Sequence, residues 1–105
     1  MLEEVTMKKA HIIGIGGIAM SAIAHCLLEL GYKVTGSDLE KNQLVEELQE
    51  MGVQVSIGHQ KDNVHSRLDK IIYSDAIPAN NVELKTAREY DIETLGRSQA
   101  LAWIT

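Results

Sequence analysis

The sequence predicts a Rossmann-like α/β fold, a doubly wound parallel five-stranded sheet in the order 3-2-1-4-5. Two observations support this fold class: short apolar runs alternate with stretches of helical periodicity, and glycines stand where these elements end. Strands that alternate with helices form parallel sheets, and right-handed crossovers leave few other topologies. The chain of 105 residues is long enough for one core but hardly for two, so we interpret residues 1–105 as a single domain.

The first strand and the first helix are predicted to meet at a glycine-rich turn. After a lead-in over residues 1–7, the apolar run of residues 10–15 is typical of a central strand. Residues 17–30 follow with helical periodicity, and Gly31 is placed to end this helix in the left-handed conformation. The buried stripe of the helix is expected to comprise Ile23, Leu27 and Leu30.

The second and third strands are predicted to flank a second helix. Residues 33–36 are predicted as a short strand that closes on Ser37 and Asp38, and residues 53–57 alternate between apolar and polar side chains. The helix between them is expected to end at Gly52. Its apolar stripe, which we interpret as core rather than as ligand contacts, is Leu44, Leu48 and Met51.

The last part of the chain is predicted to contain two more strands, each followed by a helix. The strands are expected over residues 70–74 and 92–95. Asn80-Asn81 marks a turn into the first of these helices, and Ser98 is the expected N-cap of a last helix that ends at Ile104. Residues 58–69 form the only long irregular connection, with room for one short helical turn.

The composition argues against several classes of function. The chain has 10 basic and 15 acidic residues and a net charge of -5, so it lacks the positive surface of a nucleic-acid-binding domain. Its most apolar run, residues 18–30, is interrupted by Ser21, His25 and Glu29, which predicts neither a signal peptide nor a membrane span. Cys26 is the single cysteine, so we expect no disulfide, a buried thiol and a cytoplasmic protein.

The turn Gly14-Ile15-Gly16-Gly17-Ile18-Ala19 fits the pattern G-x-G-x-x-G/A between a predicted strand and a predicted helix. Gly14 permits the tight turn, Gly16 lets the main chain approach a diphosphate, and Ala19 keeps the helix close to the sheet. The first N–H groups of the helix have no partner inside it, so they can hold an anion without a lysine. The alternative is that the glycines only permit close packing of strand and helix.

Asp38 ends the second predicted strand, where nucleotide-binding sites of this fold commonly place a carboxylate for the sugar or the base. Asp is also a good N-cap, so capping of the following helix is an equally weighted alternative. Ser37 shares this ambiguity. Both residues are therefore candidates for a nucleoside contact.

Two further segments are predicted to reach the carboxyl edge of the sheet, where doubly wound folds bind ligands. His59 follows the third strand, and residues 74–78 follow the fourth. Asp75 is unfavourable beside an anion unless it points toward the sugar or the solvent. The histidines that lack this position are His11, His25 and His65.

Motifs for chemistry are missing from the sequence. There is no G-x-x-x-x-G-K-[ST] loop, and no lysine follows the glycines to reach a terminal phosphate. There is also no H-E-x-x-H motif, no pair of cysteine ligands and no G-x-S-x-G elbow. We therefore expect no resident cofactor, no metal and no catalytic residue in this domain.

Four ordered motifs resemble the amino-terminal domain of the Mur ligase family, and within it the branch that joins L-alanine to UDP-N-acetylmuramate. The motifs are Gly14-Ile15-Gly16-Gly17-Ile18-Ala19-Met20-Ser21, Gly36-Ser37-Asp38, Gly58-His59 and Ala76-Ile77-Pro78. They extend over most of the chain. In order and separation they are more specific than the glycine turn alone.

The resemblance implies that this chain is the UDP-binding domain of a three-domain, ATP-dependent ligase of peptidoglycan synthesis, with roles in cell shape and cell division. In that family a central domain binds ATP and magnesium, and a third domain helps to bind the amino acid. ATP phosphorylates the muramate carboxylate, and the amine of alanine then attacks the acyl phosphate. Without the other two domains, we expect the chain to bind UDP-N-acetylmuramate but to show no ligase turnover.

The resemblance also implies which residues contact the nucleotide. Those expected around the diphosphate are Gly16, Gly17, Ile18, Ala19, Met20 and Ser21. Those expected to border the uridine are Ser37, Asp38, His59, Ser74, Ala76 and Ile77. The chain departs from the family at Ala19 and Ala22, where glycine is frequent, and at Asp75, where serine is frequent. Asp75 is therefore not among the expected contacts at that strand end.

Three other functions fit parts of the sequence. The glycine turn also serves NAD-binding regulatory or dehydrogenase domains. A related ligase attaches a peptide to the same nucleotide sugar. A domain that binds no ligand and only contacts other proteins is the third alternative. The motifs beyond the glycine turn favour the alanine ligase.

Overall fold

The sheet of the computed structural model, which describes residues 7–105, has five parallel strands in the order β3-β2-β1-β4-β5, as the sequence predicts. The predicted lead-in therefore lies outside the described residues, except for Met7. In chain order the strands are β1 (Lys9–Ile13), β2 (Lys33–Asp38), β3 (Gln54–Ile57), β4 (Lys70–Tyr73) and β5 (Glu93–Gly96). β1 lies at the centre, in parallel register with β2 on one side and with β4 on the other.

Helices cover both faces of the sheet. They are α1 (Ile18–Glu29), α2 (Gln43–Glu50), α3 (Val82–Glu89) and α4 (Arg97–Ile104). α1, α2 and α4 contribute to one hydrophobic cluster, and α3 contributes to a second one on the opposite face. β1 contributes to both clusters, Ala10 and Ile12 to the first and Ile13 to the second, because side chains of a strand point to opposite faces. None of the described helices has the length and the apolarity that a bilayer span requires.

The predicted helix ends and the predicted helical turn are confirmed. Gly31 and Gly52 follow α1 and α2 with φ values of +89° and +95°, the left-handed conformation that glycine adopts without strain. Asn81 caps α3 by accepting hydrogen bonds from the N–H groups of Glu83 and Leu84. A single 3-10 turn, Lys61–Asn63, lies within the long connection.

Several details of the predicted helices are wrong. Leu30 and Met51 follow the last turns of α1 and α2 and are exposed, so they do not belong to the buried stripes. Cys26 is exposed, because it lies on the face of α1 opposite the sheet, and is not a buried thiol. Ser98 is not an N-cap, since α4 starts directly after β5 with Gly96 in that position.

Candidate functional site

A cleft of about 450 Å³ opens at the carboxyl ends of β1, β2 and β4. The chain leaves β1 toward β2 but leaves β4 toward β5, so the cleft lies where the strand order changes direction. Open α/β sheets bind their ligands at this place. The residues that line the cleft are Gly14, Gly16, Gly17, Asp38, Leu39, Glu40, Asn42, His59, Ser74, Ala76 and Ile77.

The glycine turn begins with a position that only glycine fits. Gly14 has a φ of +85°, and an added Cβ would lie 2.9 Å from Cβ of Ser74. Its N–H donates to the carbonyl of Ser37 at 2.8 Å. The turn is thereby fixed against the ends of β2 and β4 on either side of it.

The start of α1 is open toward the cleft. Gly17 is its N-cap, with extended backbone angles, and no described side chain caps the helix. The N–H of Gly17 donates to Gly14, and the N–H of Ser21 donates to Gly17. The N–H groups of Ile18, Ala19 and Met20 therefore have no partner inside the helix. An added Cβ on Gly17 would lie at least 3.5 Å from the atoms around it, so packing does not require glycine here.

Gly16, by contrast, is held from both sides by the loop after β2. Its N–H donates to Oδ2 of Asp38 at 2.8 Å, and its carbonyl accepts from Nδ2 of Asn42 at 2.9 Å. An added Cβ would lie 2.8 Å from Oδ2 of Asp38 and 3.1 Å from a methyl group of Val45. Glycine is required here for packing inside the protein, and its N–H is already bound.

Asp38 does not cap α2, so that alternative is wrong. Asn42 caps the helix by accepting from the N–H of Val45 at 2.9 Å. Asp38 instead accepts hydrogen bonds from the N–H groups of Gly16 in the glycine turn and of Leu39. Asp38 nevertheless lines the cleft. Asn42 was missed in the sequence, although an asparagine directly before an apolar helical stripe is a recognisable N-cap signal.

Behind the cleft lies a buried polar network centred on Glu83, a residue of α3 that is 0% exposed. Its Oε1 accepts from Nε2 of His11 at 2.7 Å and from Oγ of Ser37 at 2.8 Å. Its Oε2 accepts from Nδ2 of Asn63 at 2.8 Å and from the N–H of Gln60 at 3.0 Å. Every oxygen of this carboxylate is therefore satisfied.

The pKa of Glu83 reflects this surrounding. Burial by itself raises the pKa, because it disfavours the charged form. Hydrogen bonds from His11, Asn63 and Ser37, together with the electrostatic interaction with His11, outweigh burial and lower the pKa to about 2. The buried carboxylate is therefore ionised at neutral pH.

His59 connects the cleft to this network. The residue lines the cleft, and its Nδ1 lies 2.9 Å from Oγ of Ser37 and 3.6 Å from Oε2 of Glu83. Ser37 is fully buried directly behind it. The prediction that His59 reaches the carboxyl edge of the sheet is confirmed.

The segment after β4 forms the remaining wall. Ser74, Ala76 and Ile77 line the cleft. Asp75 is exposed and accepts from Nε of Arg97 at 3.0 Å, so its charge is directed at a cation outside the cleft. The concern that Asp75 would oppose an anion in the site is thereby answered.

The structure brings together seven of the twelve predicted site residues. The seven that line the cleft are Gly16, Gly17, Asp38, His59, Ser74, Ala76 and Ile77. Ile18 and Ala19 lie in the first turn of α1 without lining it, and Ser37 lies behind it. The side chains of Met20 and Ser21 are buried, so these two residues can offer a ligand only backbone atoms. Four lining residues were not among the predicted contacts: Gly14, which was predicted only to form the tight turn, and Leu39, Glu40 and Asn42, which were missed.

The remaining histidines lie away from the cleft. His11 is buried in the network, with Nδ1 at 2.8 Å from Oγ1 of Thr35, while His25 and His65 do not line the cleft. Among residues 7–105, no group of three or more His, Cys, Asp or Glu side chains has the arrangement of a metal site. The polar groups of the site are backbone donors, the imidazole of His59, the carboxylates of Asp38 and Glu40, and the side chains of Asn42 and Ser74.

Comparison with known sequences gives one family. A model of the Mur ligase family, catalytic domain, matches residues 9–105. A UDP-N-acetylmuramate–L-alanine ligase of Campylobacter jejuni is 48% identical over 98 residues, which are 93% of this chain and 22% of the relative. The ligase of the same name from Clostridium novyi is 44% identical over 97 residues, 92% of this chain and 21% of the relative. The chain spans about a fifth of the length of these relatives.

Solved structures agree with the fold. The UDP-N-acetylmuramate–alanine ligase of Thermotoga maritima superposes with a TM-score of 0.84 at 31% identity, over 89% of this chain and 21% of that one. A murein peptide ligase of Psychrobacter arcticus superposes with a TM-score of 0.83 over 91% of this chain and 20% of that one. At 23% identity, the second likeness concerns the fold alone.

Proposed function

Because the chain belongs to the Mur ligase family, we propose that its cleft binds the UDP part of UDP-N-acetylmuramate for an ATP-dependent ligase that adds L-alanine in peptidoglycan synthesis. The observation that supports the proposal best is the open start of α1 at this cleft. The N–H groups of Ile18, Ala19 and Met20 have no partner inside the helix, and Gly17 adds no side chain in front of them. A helix N-terminus of this kind attracts an anion through aligned N–H groups and the helix dipole.

The distribution of charge in the cleft favours one orientation of the nucleotide. Asp38 and Glu40 both line the cleft on the β2 side, and the chain as a whole carries a net charge of -5. A diphosphate is repelled by these carboxylates, so its place is at the start of α1, on the other side of Gly16. The N–H of Gly16 is bound to Asp38 and does not take part.

The nucleoside then lies between Asp38, His59 and the segment Ser74 to Ile77. The two carboxyl oxygens of Asp38 accept from the N–H groups of Gly16 and Leu39, and each has a further lone pair beyond that bond. A ribose or base with hydroxyl or N–H donors satisfies these lone pairs. Ala76 and Ile77 supply apolar surface for the flat face of the base.

The wider reaction needs parts that this chain does not offer. ATP and magnesium do not fit the described residues: the glycine turn lacks a lysine for a terminal phosphate, and no carboxylates converge as in a metal site. We place ATP, magnesium and the amino acid on the central and C-terminal domains of the whole ligase. We also propose a cytoplasmic location, with roles in cell shape and division for that enzyme, and no turnover by this chain alone.

Titration calorimetry with UDP-N-acetylmuramate, UDP and NADH tests the proposal on the same preparation of the chain. We expect binding of both uridine nucleotides and weaker or no binding of NADH. A preference for NADH contradicts the proposal and favours an NAD-binding domain. No heat with any of the three favours a domain that only contacts other proteins.

A further inference from the structure

The network around Glu83 determines where the protons of its neighbours lie. The ionised carboxylate has no proton to give, so every partner must donate to it. Ser37 has a single hydroxyl proton, and its Oγ lies 2.8 Å from Oε1 of Glu83. At that distance the proton must lie between the two oxygens, because two facing lone pairs repel each other.

The direction of the Ser37 hydroxyl in turn fixes His59. Because the hydroxyl of Ser37 donates its proton in a hydrogen bond to Glu83, the Ser37 oxygen can only accept from Nδ1 of His59, 2.9 Å away. Oε2 of Glu83, 3.6 Å from the same nitrogen, also favours a proton there. Which ring nitrogen of a neutral histidine carries the proton is set by the partner of the other nitrogen. The proton of His59 therefore lies on Nδ1.

The other ring nitrogen of His59 is left for the cleft. Among residues 7–105, Nε2 of His59 has no hydrogen-bond partner, and no buried side-chain nitrogen or oxygen of these residues is without one. Nε2 is thus open to the solvent, on a residue that lines the cleft. In the neutral imidazole this atom is a hydrogen-bond acceptor.

We propose that Glu83 is a positioning residue of the nucleotide site: through Ser37 it holds the proton of His59 on Nδ1, so that Nε2 faces the ligand as an acceptor. This inference rests on the proposed function. The group on the ligand that donates to Nε2 of His59 is a hydrogen-bond donor of the nucleoside, either the N3–H of uracil or the 2′-hydroxyl of the ribose. Glu83 touches no ligand itself.

The first experiment measures the tautomer of His59 in the nucleotide-free chain by nitrogen-15 NMR of the imidazole. We expect the proton on Nδ1 in the unmodified chain and a mixture of both tautomers in Glu83→Gln and in Ser37→Ala. Ser37→Ala removes only the hydroxyl that connects Glu83 to His59 and leaves three hydrogen bonds to Glu83 in place. This variant therefore remains informative if Glu83→Gln does not fold. Thr35→Val is the control, because it removes the bond to His11 at the far side of the network.

A proton on Nε2 in the unmodified chain overturns the inference, and so does an unchanged tautomer in both Glu83→Gln and Ser37→Ala. Thr35→Val should keep the proton of His59 on Nδ1. These results do not depend on nucleotide binding, so they are separate from the test of the proposed function.

The second experiment compares UDP, N3-methyl-UDP and 2′-deoxy-UDP by calorimetry in the unmodified chain and in Ser37→Ala. The analogue that lacks the relevant donor should bind the unmodified chain about tenfold more weakly than UDP, the effect of one good hydrogen bond. In Ser37→Ala that ratio should fall toward one. If UDP binds but neither ratio changes, the inference is wrong while the proposed function stands. If UDP does not bind at all, both fail.

Discussion

The helices α1 and α2 begin beside the same cleft, at the ends of neighbouring strands, but their first turns are completed in opposite ways. Asn42 caps α2 through the N–H of Val45, whereas Gly17 offers α1 no side chain. Glycine in place of a capping side chain costs only a few tenths of a kcal/mol. A helix start without a capping side chain therefore lowers stability only slightly. α4 also begins with a glycine, Gly96, which does not line the cleft. A bare helix start therefore indicates a ligand site only where a cavity faces it.

A charged capping side chain on α1 should remove the difference between the two helix starts and produce the largest effect on UDP binding. In Gly17→Asp the new carboxylate can accept from the N–H groups of Ala19 and Met20, in the extended conformation that Gly17 already has. These groups are then no longer free for a diphosphate, and the like charges repel each other. We expect calorimetry to show a loss of UDP affinity of about a thousandfold, or ~4 kcal/mol, with unchanged thermal stability.

The matched control for this variant is Gly96→Asp. It adds the same charge at the other glycine N-cap, which does not line the cleft. UDP affinity should stay within about twofold of the unmodified chain, since the added charge lies outside the cleft and salt screens exposed charges. Equal losses in the two variants would contradict an anion site at α1 and would indicate a general effect of charge.

A third helix start, that of α3, combines an asparagine cap with a buried carboxylate, and its stability should depend on pH. Glu83 has a pKa of about 2 in the folded chain against 4.5 when unperturbed. The stability that it contributes is thus complete above pH 4.5 and is lost as the pH falls from 4.5 through 2. From this difference in pKa, the loss is up to about 3 kcal/mol.

Urea unfolding at pH 7, 4 and 2.5 measures this dependence, with Glu83→Gln as the comparison. The neutral amide cannot be protonated in this range, so the variant should be less stable at pH 7 and should lose less stability on acidification. Parallel curves for the two proteins would show that Glu83 is not the source of the acid sensitivity.

The sequence was sufficient for the fold and for the position of the cleft because both depend on short-range patterns. Apolar runs, helical stripes and glycine stops predict the alternation of strands and helices, and the strand order follows from crossover rules. Gly16, Gly17 and His59 follow directly after their strands, so their arrival at one edge was predictable. Two of the errors, Leu30 and Met51, arise where an apolar period continues past the end of a helix.

The buried network was not predictable, because it depends on residues that are distant in the chain. His11 and Glu83 are 72 positions apart in the chain. They meet only because α3 packs on the face of the sheet to which the side chain of His11 points. In the sequence Glu83 resembles any acidic residue of a first helical turn. The role of Asp38 as a partner of Gly16 is a similar case, since nothing in the pattern says which carboxylate will reach a turn 22 residues earlier.

Gly16→Val should sharpen the distinction between the two central glycines of the turn. The added methyl groups collide with Asp38, Asn42 and Val45, which tie the glycine turn to the start of α2. We expect a loss of about 2 kcal/mol in the free energy of unfolding, the usual effect of overpacking. Gly17→Ala should cost less, since the atoms around its added Cβ are at least 3.5 Å away. Equal destabilisation in urea would contradict the different packing of the two positions.

The smallest expected effect concerns the cap of α2 itself. Asn42→Ala removes both the acceptor for Val45 and the donor to the carbonyl of Gly16, and should destabilise the chain by about 1 kcal/mol. Asn81→Ala removes the equivalent cap of α3, away from the cleft, and should cost a similar amount. Only Asn42→Ala should also weaken UDP binding, by about threefold, because the peptide of Gly16 loses one of its two ties. Equal UDP affinities in the two variants would mean that α2 contributes stability alone and that the open start of α1 positions the diphosphate without its neighbour.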